Sequence, residues 1–135
     1  MRLLEGDNHL ISERDGLVIC QVWVRPDLSA EDGAKNAGQM VAYMTDAILR
    51  TGTPYRGMVF DVRRGPKIFG PQTRTVLEKL LALSAARKVR VAIIASDSAT
   101  QVLQFRSLCA AAPTMNQVFA DEPSAIRWLA SGQPR

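Results

Sequence analysis

The chain has 135 residues, of which 47% are hydrophobic and 22% are charged. This length suits one domain, and the balance of apolar and charged residues excludes a disordered chain. No run approaches the roughly 18 uninterrupted apolar residues of a membrane-spanning helix, and the N-terminus lacks the apolar stretch of a signal peptide. We therefore expect a single cytoplasmic domain without a transmembrane segment.

The formal net charge is +4, and basic residues are interspersed with acidic ones over most of the chain. One local excess of basic residues lies near the middle: Arg56, Arg63, Arg64, Lys67 and Arg74. A nucleic-acid interface usually shows a denser basic stripe with aromatic side chains for base stacking. The sequence therefore carries no specific nucleic-acid signal, and a solvated basic face is the simpler interpretation.

The residues that most often bind metals or form disulfides are scarce. Cys20 and Cys109 each lie within an apolar run, where a free cysteine packs as a small hydrophobic side chain. His9 is the single histidine and has no partner at ligand spacing. We expect two buried thiols, no metal site and no cofactor.

The N-terminal third predicts a hairpin followed by a helix. His9 to Arg14 is predicted as a first strand and Leu17 to Arg25 as a second, joined at Asp15-Gly16, a dipeptide suited to a tight turn. Ser29-Ala-Glu-Asp32 resembles a capping box and predicts a helix from Ser29 to about Arg50. Apolar residues recur on one face of this helix at spacings of three and four.

The middle of the chain predicts a strand, a loop, a helix and another strand. Arg56 to Arg63 is apolar at its centre on both sides of the alternation, which is typical of an interior strand. A polar loop rich in Gly and Pro follows, and a helix is predicted from Pro71 or Gln72 to Ala86. Lys88 to Ser96 is predicted as the fourth strand.

The C-terminal third continues the alternation. Ser96 or Asp97 is predicted to cap a third helix that reaches about Ala112. Asn116 to Ala120 is predicted as a short fifth strand, and Asp121 as the cap of a last helix. The predicted order is ββαβαβαβα, which indicates an α/β domain with a mostly parallel five-stranded sheet and an N-terminal antiparallel hairpin.

The motifs of common enzyme classes are missing from the sequence. There is no Gly-x-Gly-x-x-Gly, no P-loop and no Gly-x-Ser-x-Gly elbow. The carboxylate pairs Glu31-Asp32 and Asp121-Glu122 both fall in predicted helix first turns, where the helix dipole accounts for them. We expect a protein that is not an enzyme.

A receiver-like phosphoacceptor domain is an alternative, because it is also built on five parallel strands. Asp61 lies near the end of a central predicted strand, and Ser96 ends the next. The acidic pair that would bind Mg²⁺ after the first long strand is absent, since Asp27 stands alone there. A lysine expected after the last strand is replaced by Asp121. Such a domain would be degenerate.

Three passages of the chain stand out together: the hairpin from Leu10 to Val22, the strand Gly57-Met-Val-Phe-Asp-Val-Arg63, and the ending Val118-Phe-Ala-Asp-Glu-Pro-Ser-Ala-Ile-Arg-Trp-Leu129. They resemble the SpoIIAA-like, or STAS-like, family. The last is similar to a common family ending, F-x-[Asp/Asn]-x-x-x-A-x-x-W-L. The resemblance spans residues from about 9 to 130 and implies a regulatory or scaffolding domain of that fold.

The resemblance also implies where a partner would bind. In anti-sigma-factor antagonists of this fold, a Ser or Thr at the start of the helix after the central strand is phosphorylated. The corresponding stretch here has no Asp-Ser pair, and Thr73 is the nearest hydroxyl. We expect a protein partner at the loop and helix start that follow the predicted strand 56–63, where the loop leaves Ile68 and Phe69 exposed. The contact residues would be Arg63, Arg64, Lys67, Ile68, Phe69 and Thr73.

Two further possibilities remain open at this point. Other SpoIIAA-like domains are thought to bind lipid-like or other small apolar ligands, which would require a hydrophobic cleft that a sequence does not reveal. Association of two copies as a homodimer is also compatible with the sequence. A protein partner is the leading expectation, and a small apolar ligand is the alternative.

Overall fold

The computed structural model describes residues 2–49 and 56–131. Over these ranges the chain forms one mixed sheet and four helices. The six strands are β1 (Arg2–Glu5), β2 (His9–Arg14), β3 (Leu17–Trp23), β4 (Gly57–Arg64), β5 (Val91–Ile94) and β6 (Asn116–Phe119). The helices are α1 (Ala30–Leu49), α2 (Pro71–Ala86), α3 (Ala99–Cys109) and α4 (Glu122–Ser131).

The strands lie in the sheet in the order of the sequence, from β1 to β6. β2 pairs antiparallel with both β1 and β3, and the pairs β3–β4, β4–β5 and β5–β6 are parallel. The α/β class and the antiparallel start of the sheet agree with the sequence analysis. The predicted number of five strands is wrong, and the observed order is βββαβαβαβα.

The strand that the sequence analysis missed is β1. Its sequence, Arg-Leu-Leu-Glu, has neither alternation nor β-branched residues, so no local pattern predicts a strand. It becomes extended by pairing with β2, where Glu5 lies opposite Leu10 and Leu4 opposite Ile11. Tertiary pairing, rather than local propensity, therefore forms this edge of the sheet.

The predicted hairpin is confirmed at Asp15-Gly16. Both residues have positive φ angles, 54° for Asp15 and 80° for Gly16. Two consecutive positive φ angles match the twist of the flanking strands, and they put Arg14 directly opposite Leu17. The Arg56 guanidinium donates to the Asp15 carbonyl, with Nε 2.7 Å from the oxygen.

Capping side chains begin α1, α3 and α4, and one of these caps differs from the prediction. Ser29 Oγ accepts from Asp32 N at 3.1 Å, so the predicted capping box begins α1. Asp121 Oδ1 accepts from Ser124 N at 2.8 Å at the start of α4, also as predicted. The cap of α3 is Ser98 rather than Ser96 or Asp97, because Ser98 Oγ accepts from Gln101 N.

Several element ends also differ from the prediction. β5 begins at Val91, later than the predicted Lys88, because Lys88 has a φ of 60°, which an extended strand does not allow. β3 ends at Trp23 and α3 at Cys109, both earlier than predicted. α1 is described to Leu49, and its predicted end at Arg50 lies outside the described residues.

The alternation of side chains along the strands divides the core into two layers. Met58, Phe60 and Val62 of β4 pack in the larger layer, together with residues of α1, α2 and α3. Val59, between them, packs in the smaller layer with Leu129 of α4. Right-handed crossovers between successive parallel strands place α1, α2 and α3 on the same face, which leaves α4 to cover the other.

Both cysteines are buried, as expected from the sequence. Burial raises the pKa of Cys109 to about 11 and also raises the pKa of Cys20, where the charge of Asp61 acts in the same direction. Neither thiol is therefore prone to ionise near neutral pH.

Two glycines provide a test of the packing. A Cβ at Gly6 would lie 2.2 Å from His9 Cε1, whereas one at Gly38 in α1 would meet nothing within 4 Å. We expect Gly6→Ala to lower the free energy of unfolding by about 1–3 kcal/mol through overpacking. Gly38→Ala should raise it by about 0.5–1 kcal/mol, because alanine is the better helix former. Urea unfolding measures both, and equal effects would contradict the packing around His9.

Candidate functional site

An apolar cleft of about 420 Å³ lies on the face of the sheet that carries α1, α2 and α3. Its base is formed by Phe60 and Val62 of β4 with Met40, Leu77 and Phe105 from the three helices. One wall is the N-terminal half of α1. The other is the β4–α2 loop with the first turn of α2.

The wall formed by α1 consists of small side chains. Ala30, Gly33, Ala34 and Ala37 line the cleft and repeat at helical spacing on one face of the helix. A Cβ at Gly33 would meet nothing within 4 Å. Farther along the same helix, larger side chains such as Met40 and Met44 are buried in the core. The cleft therefore exists because the first two turns of α1 carry too little volume to fill the space beside α2.

The opposite wall is held by Gln101 of α3, whose side chain is fully buried. Its Nε2 donates to the carbonyls of Val62, at 2.8 Å, and Pro66, at 3.2 Å. Its Oε1 accepts from both the backbone N and the Oγ of Ser96, each at 2.8 Å. One amide thus joins the end of β4 to the end of β5 and fixes the start of the loop.

A second glutamine of α3 holds the middle of the loop. Gln104 Oε1 accepts from Phe69 N at 3.2 Å, and its Nε2 lies 3.5 Å from the Phe69 carbonyl. The Phe69 ring packs on Phe105 with the ring centroids 5.2 Å apart. These contacts make the wall a preformed surface rather than a loose loop.

The polar groups that line the cleft are amides and a hydroxyl, from Asn8, Asn36, Gln72 and Thr73. Asn36 is 7% exposed, and its Nδ2 donates to the Asp32 carbonyl at 3.0 Å. The described residues of the lining include no Asp, Glu, Lys, Arg or His. The cleft is thus apolar with a few neutral hydrogen-bonding groups.

The structure brings together half of the contact surface expected from the sequence. Ile68, Phe69 and Thr73 line the cleft. The expectation that Phe69 is exposed is wrong, because its ring is half-buried against the core and faces Phe105. Ile68 is 67% exposed, as expected.

The three basic residues of that expected surface do not line the cleft. Arg63 pairs with Asp61, and Lys67 Nζ donates to Ser96 Oγ at 3.1 Å. Arg64 is exposed at the end of β4. Arg63, Arg64 and Lys67 therefore lie outside the cleft, whereas the apolar residues Ile68 and Phe69 line it.

Asp61 lies on the opposite face of the sheet from the cleft, beside Val59 and Ile94. Its Oδ1 accepts from Arg63 N and Nε at 3.1 and 3.0 Å, and its Oδ2 from Arg63 Nη2 at 2.8 Å. Burial alone would raise the pKa of Asp61, but these hydrogen bonds and the positive charges of Arg63 and Arg64 outweigh it. The pKa of this carboxyl is therefore below its ordinary value.

Sequence reasoning missed the residues that shape the cleft. Gln101 and Gln104 carry no motif, since a glutamine within a helix usually faces solvent. The row of small residues on α1 can be identified in the sequence, because Ala30, Gly33, Ala34 and Ala37 repeat at helical spacing. Such a row indicates either close packing against another helix or an open cleft beside α1. Only the position of the β4–α2 loop decides between the two.

In the part of the chain that the structure describes, no group of three or more His, Cys, Asp or Glu side chains lies close enough together to hold a metal ion. None of the described helices has the length and apolar character needed to cross a membrane.

Comparison with known proteins gives a fold but no family. No protein-family model matches the chain, and no curated protein matches its sequence. The fold is similar to that of the protein TM1081, solved by NMR, with a TM-score of 0.63 over 95% of this chain and 94% of that one. The two sequences are 14% identical, so the likeness concerns the fold alone.

The Asp61–Arg63 pair yields a pH-dependent prediction. Folding lowers the pKa of Asp61, so the ionised carboxylate stabilises the folded protein. This contribution is fully present at pH values above the pKa of the unfolded chain, near 3.9, and it is lost as the pH falls through the lower pKa of the folded protein. Arg63→Gln removes the two guanidinium donors but leaves the backbone N–H of residue 63 and the burial of Asp61, so the pKa of Asp61 should rise. NMR titration of the Asp61 carboxyl carbon measures it.

Arg64→Gln is the matched control for this titration. Arg64 acts on Asp61 through its charge without a hydrogen bond. We therefore expect a smaller rise in the pKa of Asp61 than with Arg63→Gln. Equal rises in the two variants would contradict the assignment of the shift to the Arg63 hydrogen bonds.

Proposed function

We propose that this domain binds a small, mostly apolar molecule in the cleft between α1 and the β4–α2 loop. The observation that carries the proposal is a preformed apolar cleft of about 420 Å³, which lies in the range of small-molecule sites in proteins. The wall formed by the β4–α2 loop is fixed by Gln101 and Gln104, so little ordering of that loop is required when a ligand enters.

The absence of ionisable side chains in the described lining favours binding without chemistry. Thr73 contributes a hydroxyl, but no histidine, carboxylate or lysine of the lining stands beside it to take its proton. We therefore propose a binding domain rather than an enzyme, in agreement with what the resemblance to SpoIIAA-like domains implies. A cytoplasmic location belongs to the same proposal.

The proposal is tested by filling the cleft from one side. Gly33 lines the cleft and Gly38 does not, although both lie in α1 and both leave open space for a Cβ. Gly33→Leu should weaken the binding of Nile red, an uncharged apolar dye, by at least about tenfold, because the new side chain occupies the ligand volume. Fluorescence titration measures the dissociation constant.

Gly38→Leu is the control, and its affinity for the dye should stay within about twofold of wild type. If wild type does not bind the dye saturably, or if both variants bind it as wild type does, the proposed site is wrong. Thermal unfolding of both variants verifies that each is folded at the temperature of the titration.

A protein partner remains a second candidate, supported by the side chain of Ile68. This isoleucine is 67% exposed at the rim of the cleft and follows the exposed Lys67 in the chain. Protein–protein interfaces have an apolar core surrounded by a polar rim, so an exposed apolar side chain beside a polar one is compatible with an interface. The partner is either another protein or a second copy of this chain.

Leu103 of α3 provides a matched control for this candidate, because it is 65% exposed and does not line the cleft. Ile68→Glu should abolish association measured by sedimentation velocity, either of the chain alone or with a purified partner. Leu103→Glu should leave it unchanged. Association that survives Ile68→Glu would remove the loop from the interface.

A further inference from the structure

We propose that the cleft selects an uncharged amphiphile, a molecule with an apolar body and a hydroxyl or amide group that donates a hydrogen bond to Asn36. This inference rests on the proposed function and specifies the chemistry of its ligand. It follows from two observations, the charge of the cleft lining and the hydrogen bonds of Asn36.

The lining offers no counter-charge to an ionised ligand. Its described residues are apolar except for the amides of Asn8, Asn36 and Gln72 and the hydroxyl of Thr73. Three basic side chains adjacent in sequence to lining residues are engaged elsewhere: Arg63 pairs with Asp61, Lys67 donates to Ser96 and Arg74 pairs with Glu78. Burying a charge among apolar groups without a partner is strongly unfavourable, so a neutral ligand is preferred.

Asn36 presents an acceptor that the protein does not use. Its Nδ2 donates to the Asp32 carbonyl, and because a carbonyl only accepts, this contact fixes which end of the amide is which. The Oδ1 atom has no hydrogen-bond partner among the described residues, although the residue is only 7% exposed.

The Asn36 oxygen can be reached from the cleft. Among the described residues, the polar side-chain atoms that are both sealed from solvent and unpartnered are His9 Nε2 and Asn116 Oδ1, and Asn36 Oδ1 is not one of them. Since Asn36 lines the cleft, a ligand there can offer it an O–H or N–H donor.

A carboxylate ligand is the chemical competitor. The first turn of α2 borders the same cleft at Gln72 and Thr73, and its cap, Gly70, provides no side-chain hydrogen bond. Helix N-termini favour anions through their unpaired N–H groups and dipole. A carboxylate, however, has no donor for the Asn36 oxygen. The binding of an alcohol should therefore depend on Asn36, whereas the binding of a carboxylate should not.

Three probes of similar length separate these possibilities: 1-decanol, its donor-free analogue 1-methoxynonane, and decanoate, which is ionised at pH 8. Isothermal titration of the wild-type protein at pH 8 should show 1-decanol binding about tenfold more tightly than the ether and at least about tenfold more tightly than decanoate. In Asn36→Ala the alcohol and the ether should bind equally.

Gln72→Ala is the matched control, because it removes a different amide from the same cleft and should keep the preference for alcohol over ether. Asn36→Leu, which is similar in size to asparagine, serves if Asn36→Ala does not fold. If decanoate binds most tightly, or if the alcohol preference survives in the Asn36 variants, the inference is overturned while the proposed function stands. If none of the probes binds, the proposed function fails as well.

Discussion

The shape of this molecule depends on one packing constraint, the small volume of the first two turns of α1. Right-handed crossovers place α1 and α2 side by side on the same face of the sheet. Methionine side chains fill the space under the later turns of α1, whereas Ala30, Gly33, Ala34 and Ala37 leave it open beside α2. Protein interiors are normally packed as densely as organic crystals, so an open volume of this size requires walls that do not collapse into it.

The wall across from α1 resists collapse because α3 holds it. Gln101 and Gln104 use their amides to bind backbone atoms of Val62 in β4 and of Pro66 and Phe69 in the β4–α2 loop. Phe69 is thereby directed onto Phe105, where it forms part of the wall rather than filling the cleft. The same hydrogen bonds that satisfy the loop thus keep the cleft open, which links the stability of the domain to the binding that we propose for it.

The sequence predicted those features that arise from local pattern. Apolar runs, helical spacing and caps such as Ser29 and Asp121 located most strands and helices, and Asp15-Gly16 predicted the hairpin. The edge strand β1 was not predicted, because its four residues become extended only through pairing with β2. The cleft was not predicted for a similar reason. It depends on where α3 binds the β4–α2 loop, which is a contact between residues about 35 positions apart. Phe69 was expected at the surface because nothing local indicates that Phe105 lies beside it.

The central claim is that a small apolar molecule occupies the cleft, and methyl NMR spectroscopy tests it most directly. Met40 and Leu77 lie at the base of the cleft, whereas Ile94 and Leu129 pack in the separate layer beneath α4. Titration of the methyl-labelled protein with Nile red should shift the Met40 and Leu77 resonances saturably and leave those of Ile94 and Leu129 in place. Saturable shifts confined to the α4 layer, or no saturable shifts at all, would contradict the account.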